Sequence, residues 1–207
     1  RNPARARVGA VWPDRPERPC VSGRYGSRVA PHRVLVSAHR CGYAELSAAG
    51  ASDRTLENSV AGIAHAASVG ADYVEFDVRR CTDGVWVIAH DPDIGPTGDH
   101  TPIRKLSWTE LHERAPDVLR LSEFLAALAP TGIGAHVDMK FATPQHERDA
   151  GRLWEIDLLE ALVASLDPGR IIMTTGNGAA SSAIRDWTAD RDLPILVGLS
   201  IGASLRG

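Results

Sequence analysis

Three short segments each place groups suited to phosphate-ester chemistry at the end of an apolar run: His39-Arg40, Glu75-Phe76-Asp77 and His90-Asp91. An imidazole titrates near neutral pH, so two of them across a site can act as general base and general acid. Side chains alternate along a strand, which puts Glu75, Asp77 and Arg79 on one face and Val74, Phe76 and Val78 on the other. The apolar face suits packing under helices. The charged face must neutralise two carboxylates, because an unpaired carboxylate out of water is expensive. A hard divalent ion bound by oxygens is one solution. A salt-bridge cluster with Arg79 and Lys140 is the other.

The segment from Ala135 to Lys140 repeats the pattern, with His136, Asp138 and Lys140 on one face. Asp138 could add a third carboxylate to the same ion, and Lys140 could meet a phosphate oxygen. His136 lies deeper than both and reads as a structural histidine. Arg40 is a planar two-pronged donor suited to phosphate. A salt bridge to Glu57 is the competing reading, and the two are compatible if the carboxylate orients the guanidinium. Cys41 reads as a buried small group, not a nucleophile. His32, His65, His100, His112 and His146 have no such context and read as surface residues.

These groups need elements to hold them. Strands are expected at 34–38, 73–78, 85–89, 135–140, 171–173 and 195–199. Between them fall helical patterns. Glu57-Asn58-Ser59 opens one, with Val60, Ile63, Ala64 and Ala67 in phase and Gly70 as its stop. Ser107 to Glu110 is a capping box, and further helices are expected at 121–128, 153–166 and 179–190. Residues 41–56 read as a loop, and 1–30, with Pro13, Pro16 and Pro19, as an irregular N-terminal extension. Alternating strands and helices predict an α/β fold built of parallel βαβ units. A (β/α)₈ TIM barrel needs eight strands over typically ~250 residues. With six, residues 31–207 read as such a barrel truncated after about the sixth strand. Its active site would lie at the C-terminal rim, where His39 and His90 are expected.

The chain has 207 residues, a formal net charge of -3 and a pI near 6.2. That balance argues against nucleic acid and against a polybasic membrane surface, so an anionic substrate would be held by a local site. No stretch approaches the ~20 apolar residues of a membrane span. Arg1 to Arg28 lacks the apolar segment of a signal peptide, and a cytoplasmic location is expected. Cys20, Cys41 and Cys81 have no metal-finger spacing, and their odd number argues against a disulfide framework. Reduced thiols are expected, with a Cys41–Cys81 bridge left open.

Five ordered motifs resemble the glycerophosphodiester phosphodiesterase family. They are His39-Arg40, Glu57-Asn58-Ser59, the run from Gly70 to Val78, the run from Thr82 to Asp91, and Asp138-Met139-Lys140. The resemblance implies a TIM-barrel hydrolase using Ca²⁺ or Mg²⁺. Such an enzyme splits glycerophosphodiesters into glycerol 3-phosphate and an alcohol, and the partner implied is a small-molecule glycerophosphodiester or lysophospholipid-like substrate. By motif, His39 and His90 correspond to the acid/base pair. Glu75, Asp77 and Asp138 correspond to the metal ligands, Arg40 and Lys140 to phosphate binders, and Glu57 to a supporting carboxylate. In the family the substrate's own glycerol hydroxyl is held to attack phosphorus, giving a cyclic phosphate that water opens.

Three departures from the family pattern stand out: Cys41 replaces a usual Gly, the 41–56 loop is long, and Asp138 replaces a usual Glu. Two alternatives remain at this level. One is a phospholipase-D-like lyase resembling the sphingomyelinase D toxins, which would release a cyclic phosphate. The other is a non-catalytic barrel or binding module.

Overall fold

The structure, a computed structural model, describes residues 33–42, 57–95 and 100–200. The expected extension at 1–30 and nearly all of the loop at 41–56 lie outside the described residues. Contacts divide the chain after Arg33, and the larger unit, Val34–Gly207, holds every strand and helix of the described residues.

Its strands are β1 (Ser37–Ala38), β2 (Tyr73–Arg80), β3 (Trp86–Ile88), β4 (Asp93–Ile94), β5 (Thr101–Pro102), β6 (Leu119–Arg120), β7 (Gly134–Met139), β8 (Ile171–Thr175) and β9 (Leu196–Leu199). Its helices are α1 (Val60–Ser68), α2 (Trp108–Arg114), α3 (Leu121–Leu128), α4 (Gln145–Asp149), α5 (Trp154–Val163) and α6 (Gly178–Ala189). Local chemistry sets several boundaries. The Ser59 side chain accepts from the Gly62 N–H and caps α1. Ser107 and Glu110 form the expected reciprocal capping box of α2. Gly70, at φ +73°, turns the chain from α1 into β2.

Strands β1, β2, β7, β8 and β9 run parallel as successive neighbours, with helices between them in sequence. This is the expected mixed α/β class with a parallel sheet. Among the described residues the sheet does not close on itself.

One expected strand differs in direction. The 85–89 segment forms β3, which runs antiparallel to β2, with Val78 opposite Ile88 and Arg80 opposite Trp86. The Asp83-Gly84 turn, with Gly84 at φ +90°, is far too short for a parallel crossover and makes a hairpin instead. One edge of β2 is therefore shared, with β1 on Tyr73 and Val74 and β3 on Val78 to Arg80. Five described strands, not six, belong to the parallel set. The first is also shorter than the expected 34–38: Val34, Leu35 and Val36 are exposed, and only the Val36 carbonyl joins the sheet, accepting from Asp72 and Tyr73. Helix α4 and the short strands β4, β5 and β6 carry too little apolar periodicity to have been expected.

The core lies under the apolar face of the sheet. Val74, Phe76 and Val78 from β2 join Ala135, Val137 and Met139 from β7. They pack on Ile63 and Ala66 of α1, Phe124 and Leu128 of α3, and Leu158, Leu159 and Leu162 of α5. The Phe76 and Phe124 ring centroids are 4.5 Å apart. Each large side chain buried here contributes about 1.5–3 kcal/mol. A second cluster of Cys81, Val87, Ile103, Leu106 and Leu111 supports the β2–β3 hairpin from the other side. The opposite face of β2 and β7 is left for polar groups.

Candidate active site

Strand register brings the carboxylates together. Asp77 pairs with Asp138 and Glu75 with His136 across β2 and β7. One oxygen each from Glu75, Asp77 and Asp138 lies within 4.8 Å of the others. Glu75 is 7% exposed and Asp77 is 1% exposed. Burial pushes the Glu75 carboxyl up to about 7, and the charges of Asp77 and Asp138 add to the rise while the Arg40 N–H opposes it. Three carboxylates held this close repel one another, and burial makes Glu75 reluctant to ionise. An all-oxygen donor set of this kind fits a hard divalent cation.

The competing salt-bridge reading is met in part. Lys140 Nζ lies 2.6 Å from Asp138 Oδ2 and 3.2 Å from Asp77 Oδ1. Burial works against its charge, but the bonds and charge of Asp138 and Asp77 outweigh it, and its pKa rises. Arg79 does not join the carboxylates through a hydrogen bond. Its guanidinium donates to the carbonyls of His90, at 2.5 Å, and Lys140, at 2.9 Å, and so ties the ends of β3 and β7 together.

The His39–Cys41 turn follows β1 directly. Arg40, Cys41 and Gly42 take φ values of +44°, +63° and +92°, a run of left-handed residues of which only the last is glycine. Such backbone is costly for ordinary side chains and persists only where contacts hold it. Here the Arg40 N–H donates to Glu75 Oε2 at 2.7 Å, and Gly42 N–H closes the turn on the His39 carbonyl. The Arg40 guanidinium donates to Glu57 Oε1 at 2.7 Å and lies 3.7 Å from Asp77 Oδ2. Glu57 thus orients Arg40, as the compatible reading required. His39 stays largely exposed, with Nε2 4.0 Å from Glu75 Oε2.

His90 follows β3. Because β3 is antiparallel, His90 returns alongside β2, where the Ala89 N–H donates to the Asp77 carbonyl. Its Nδ1 is 3.0 Å from Asp91 Oδ1. The ring lines a cleft of about 260 Å³ that also touches Glu57 and Asn58 and is walled by Ile88, Ile94, Ile103 and Val118.

His136, read from the sequence as structural, faces two hydroxyls. Its ring nitrogens lie 3.0 Å from Ser37 Oγ and 3.3 Å from Thr174 Oγ1, and burial lowers its pKa. Cys41 and Cys81 are both buried and free, so the bridge left open between them is not made. Burial pushes the Cys41 thiol up to about 12, which removes it as a nucleophile at neutral pH.

One member of the site sits within the Glu57-Asn58-Ser59 motif, where its sequence alone suggested no role. Asn58 is buried, and its side chain bonds Asp77 twice. Its Nδ2 donates to Asp77 Oδ2 at 3.0 Å, and its Oδ1 accepts from the Asp77 N–H at 3.3 Å. Its φ is +53°, a conformation asparagine tolerates better than most residues, and no local sequence pattern marked it.

Comparison with known proteins agrees with this fold. A glycerophosphodiester phosphodiesterase from Thermotoga maritima superposes with a TM-score of 0.56 at 23% identity, over 84% of this chain and 64% of its own. A phosphodiesterase from Oleispira antarctica, solved with the product sn-glycerol-3-phosphate, superposes with a TM-score of 0.59 at 20% identity, over 84% of this chain and 68% of its own. The chain therefore spans roughly two thirds of the length of these relatives, and at such identity the likeness shows the fold. The family model for glycerophosphoryl diester phosphodiesterases matches residues 49–204, which include Glu57, Glu75, Asp77, His90, Asp138 and Lys140. His39 and Arg40 precede the matched span and join the site through their contacts with Glu75 and Glu57. With most of its length so matched, the chain belongs to the glycerophosphoryl diester phosphodiesterase family, whose fold is the TIM barrel.

Proposed function

We propose that this protein is a metal-dependent phosphodiesterase that splits glycerophosphodiesters into glycerol 3-phosphate and an alcohol. The observation that carries the reading is the meeting of Glu75, Asp77 and Asp138 beside two cations, Arg40 and Lys140, with His39 Nε2 4.0 Å from Glu75 Oε2. Family membership and the product bound in the Oleispira relative support the substrate class.

Ca²⁺ or Mg²⁺ held by the three carboxylates would supply positive charge to a phosphate oxygen. Arg40, oriented by Glu57, and Lys140 hold the other phosphate oxygens and neutralise charge as it develops. One imidazole takes the proton from the attacking hydroxyl as the new P–O bond forms. The other gives a proton to the leaving alkoxide as the old P–O bond breaks, and water, deprotonated in turn, then opens the cyclic phosphate to glycerol 3-phosphate. Engagement of His90 Nδ1 by Asp91 leaves Nε2 as the nitrogen for that transfer.

The test is a panel of glycerophosphodiesters assayed with chelator, then with Ca²⁺ or Mg²⁺ added back. Glycerol 3-phosphate should appear only with the ion. Full activity in chelator would refute the metal assignment. A cyclic phosphate as final product would move the protein to the lyase class, and no turnover of any member would overturn the enzyme reading.

A further inference from the structure

Asp77 is engaged on every side. Oδ1 faces Lys140 Nζ at 3.2 Å. Oδ2 accepts from Asn58 Nδ2 at 3.0 Å and lies 3.7 Å from Arg40 Nε. Its backbone N–H donates to Asn58 Oδ1. The amide of Asn58 therefore grips both the main chain and the carboxylate of one residue. That double grip fixes the Asp77 side chain relative to its own strand, with Oδ2 turned to Asn58 and Oδ1 left toward Lys140.

Asn58 also links the segments around it. Its N–H donates to the Arg40 carbonyl, which ties it to the left-handed turn bearing His39. It directly precedes Ser59, the cap of α1. It is 8% exposed and has positive φ. A residue kept in this conformation with both amide ends spent on one carboxylate-bearing residue is positioned for that residue. We infer that Asn58 is a positioning residue that presets Asp77 as a metal ligand and thereby sets the affinity for the divalent ion. The inference rests on the reading that Glu75, Asp77 and Asp138 hold that ion.

Two variants test it, each titrated with Ca²⁺ by calorimetry beside the parent protein. Asn58→Gly suits the left-handed backbone and deletes the amide. Partners of metal ligands of this kind typically change affinity 10- to 100-fold, so Ca²⁺ binding should weaken by about that factor. In turnover assays the Ca²⁺ concentration for half-activation should rise while kcat at saturating Ca²⁺ returns to within a few-fold of the parent. Asn58→Asp keeps the shape and the acceptor for the Asp77 N–H but sets an oxygen against Oδ2. Added negative charge alone would tighten Ca²⁺ binding, whereas loss of positioning loosens it, so weaker binding is expected here too. Should Asn58→Gly not fold, Asn58→Asp decides by the same criterion. Parent-like Ca²⁺ affinity in the folded variants overturns the inference and leaves the metal site standing. No Ca²⁺ binding by the parent itself overturns the metal reading, and the inference with it.

Discussion

His90 keeps its imidazole partly exposed at the wall of the cleft, while its carbonyl is held by Arg79 and its Nδ1 by Asp91. The ring itself adds little to the core. His90→Ala should therefore lower kcat by about 10²- to 10⁴-fold, the usual worth of a positioned acid or base. Circular dichroism and melting should match the parent, and a variant that retains activity sinks the acid/base role. Arg40 and Lys140 differ from His90 in having no free charge to offer at present. Each is paired with carboxylates, Arg40 with Glu57 and Lys140 with Asp138 and Asp77. Bringing a phosphate and a divalent ion into the site redistributes these pairs instead of adding charge to an empty space. For Cys41 the residue scale gives a plain answer: it is a buried, free thiol packed into the core.

At the scale of elements, the site depends on one register between two strands. Asp138 reaches Asp77 because β7 starts at Gly134 directly opposite Tyr73. A Cβ at Gly134 would stand 2.3 Å from the Tyr73 ring and 2.9 Å from the Arg170 carbonyl. The Tyr73 ring can turn aside, but the Arg170 carbonyl, in the turn just before β8, is backbone and would have to shift. Gly134→Ala should cost about 1–3 kcal/mol, the usual penalty of overpacking, and should weaken Ca²⁺ binding by displacing Asp138. Urea unfolding and Ca²⁺ calorimetry check the two effects. Parent-like values in both would show that register is set elsewhere. The β2–β3 hairpin is the other element on which the site hangs. The Asp83-Gly84 turn and the Cys81, Val87, Ile103, Leu106 and Leu111 cluster hold it, and His90 is delivered by its return strand.

For the whole molecule, the carboxylate cluster ties fold stability to pH. Glu75 has a folded pKa of about 7 against an ordinary value of 4.5. Between those values the folded protein binds more protons than the unfolded chain. Without metal, stability must fall as pH rises through that window, by up to roughly 3 kcal/mol. A bound divalent ion favours the charged carboxylate and removes the decline, and at 100 times its Kd it adds about 2.7 kcal/mol. Thermal melts from pH 4.5 to 8 should therefore slope downward in chelator and lie flat and higher in Ca²⁺. Coincident curves would mean that Glu75 neither titrates near 7 nor meets an ion.

Much of the site was legible in the residues themselves. Alternation along 73–80 and 134–139 put Glu75, Asp77 and Asp138 on one polar face, because period two admits no other arrangement. Capping chemistry fixed the starts of α1 and α2, and the paired strand-end motifs by themselves pointed to phosphate-ester chemistry. The direction of β3 was written in its turn, but an apolar run reads alike in a hairpin and in a crossover. What only the tertiary structure decided were contacts between segments distant in sequence. Asn58 grips Asp77 across 19 residues, Glu75 takes the Arg40 N–H across 35, and Arg79 reaches the Lys140 carbonyl across 61. No local pattern encodes such pairs. They arise because packing the apolar face of β2 and β7 leaves the polar groups of three separate turns to satisfy one another above it.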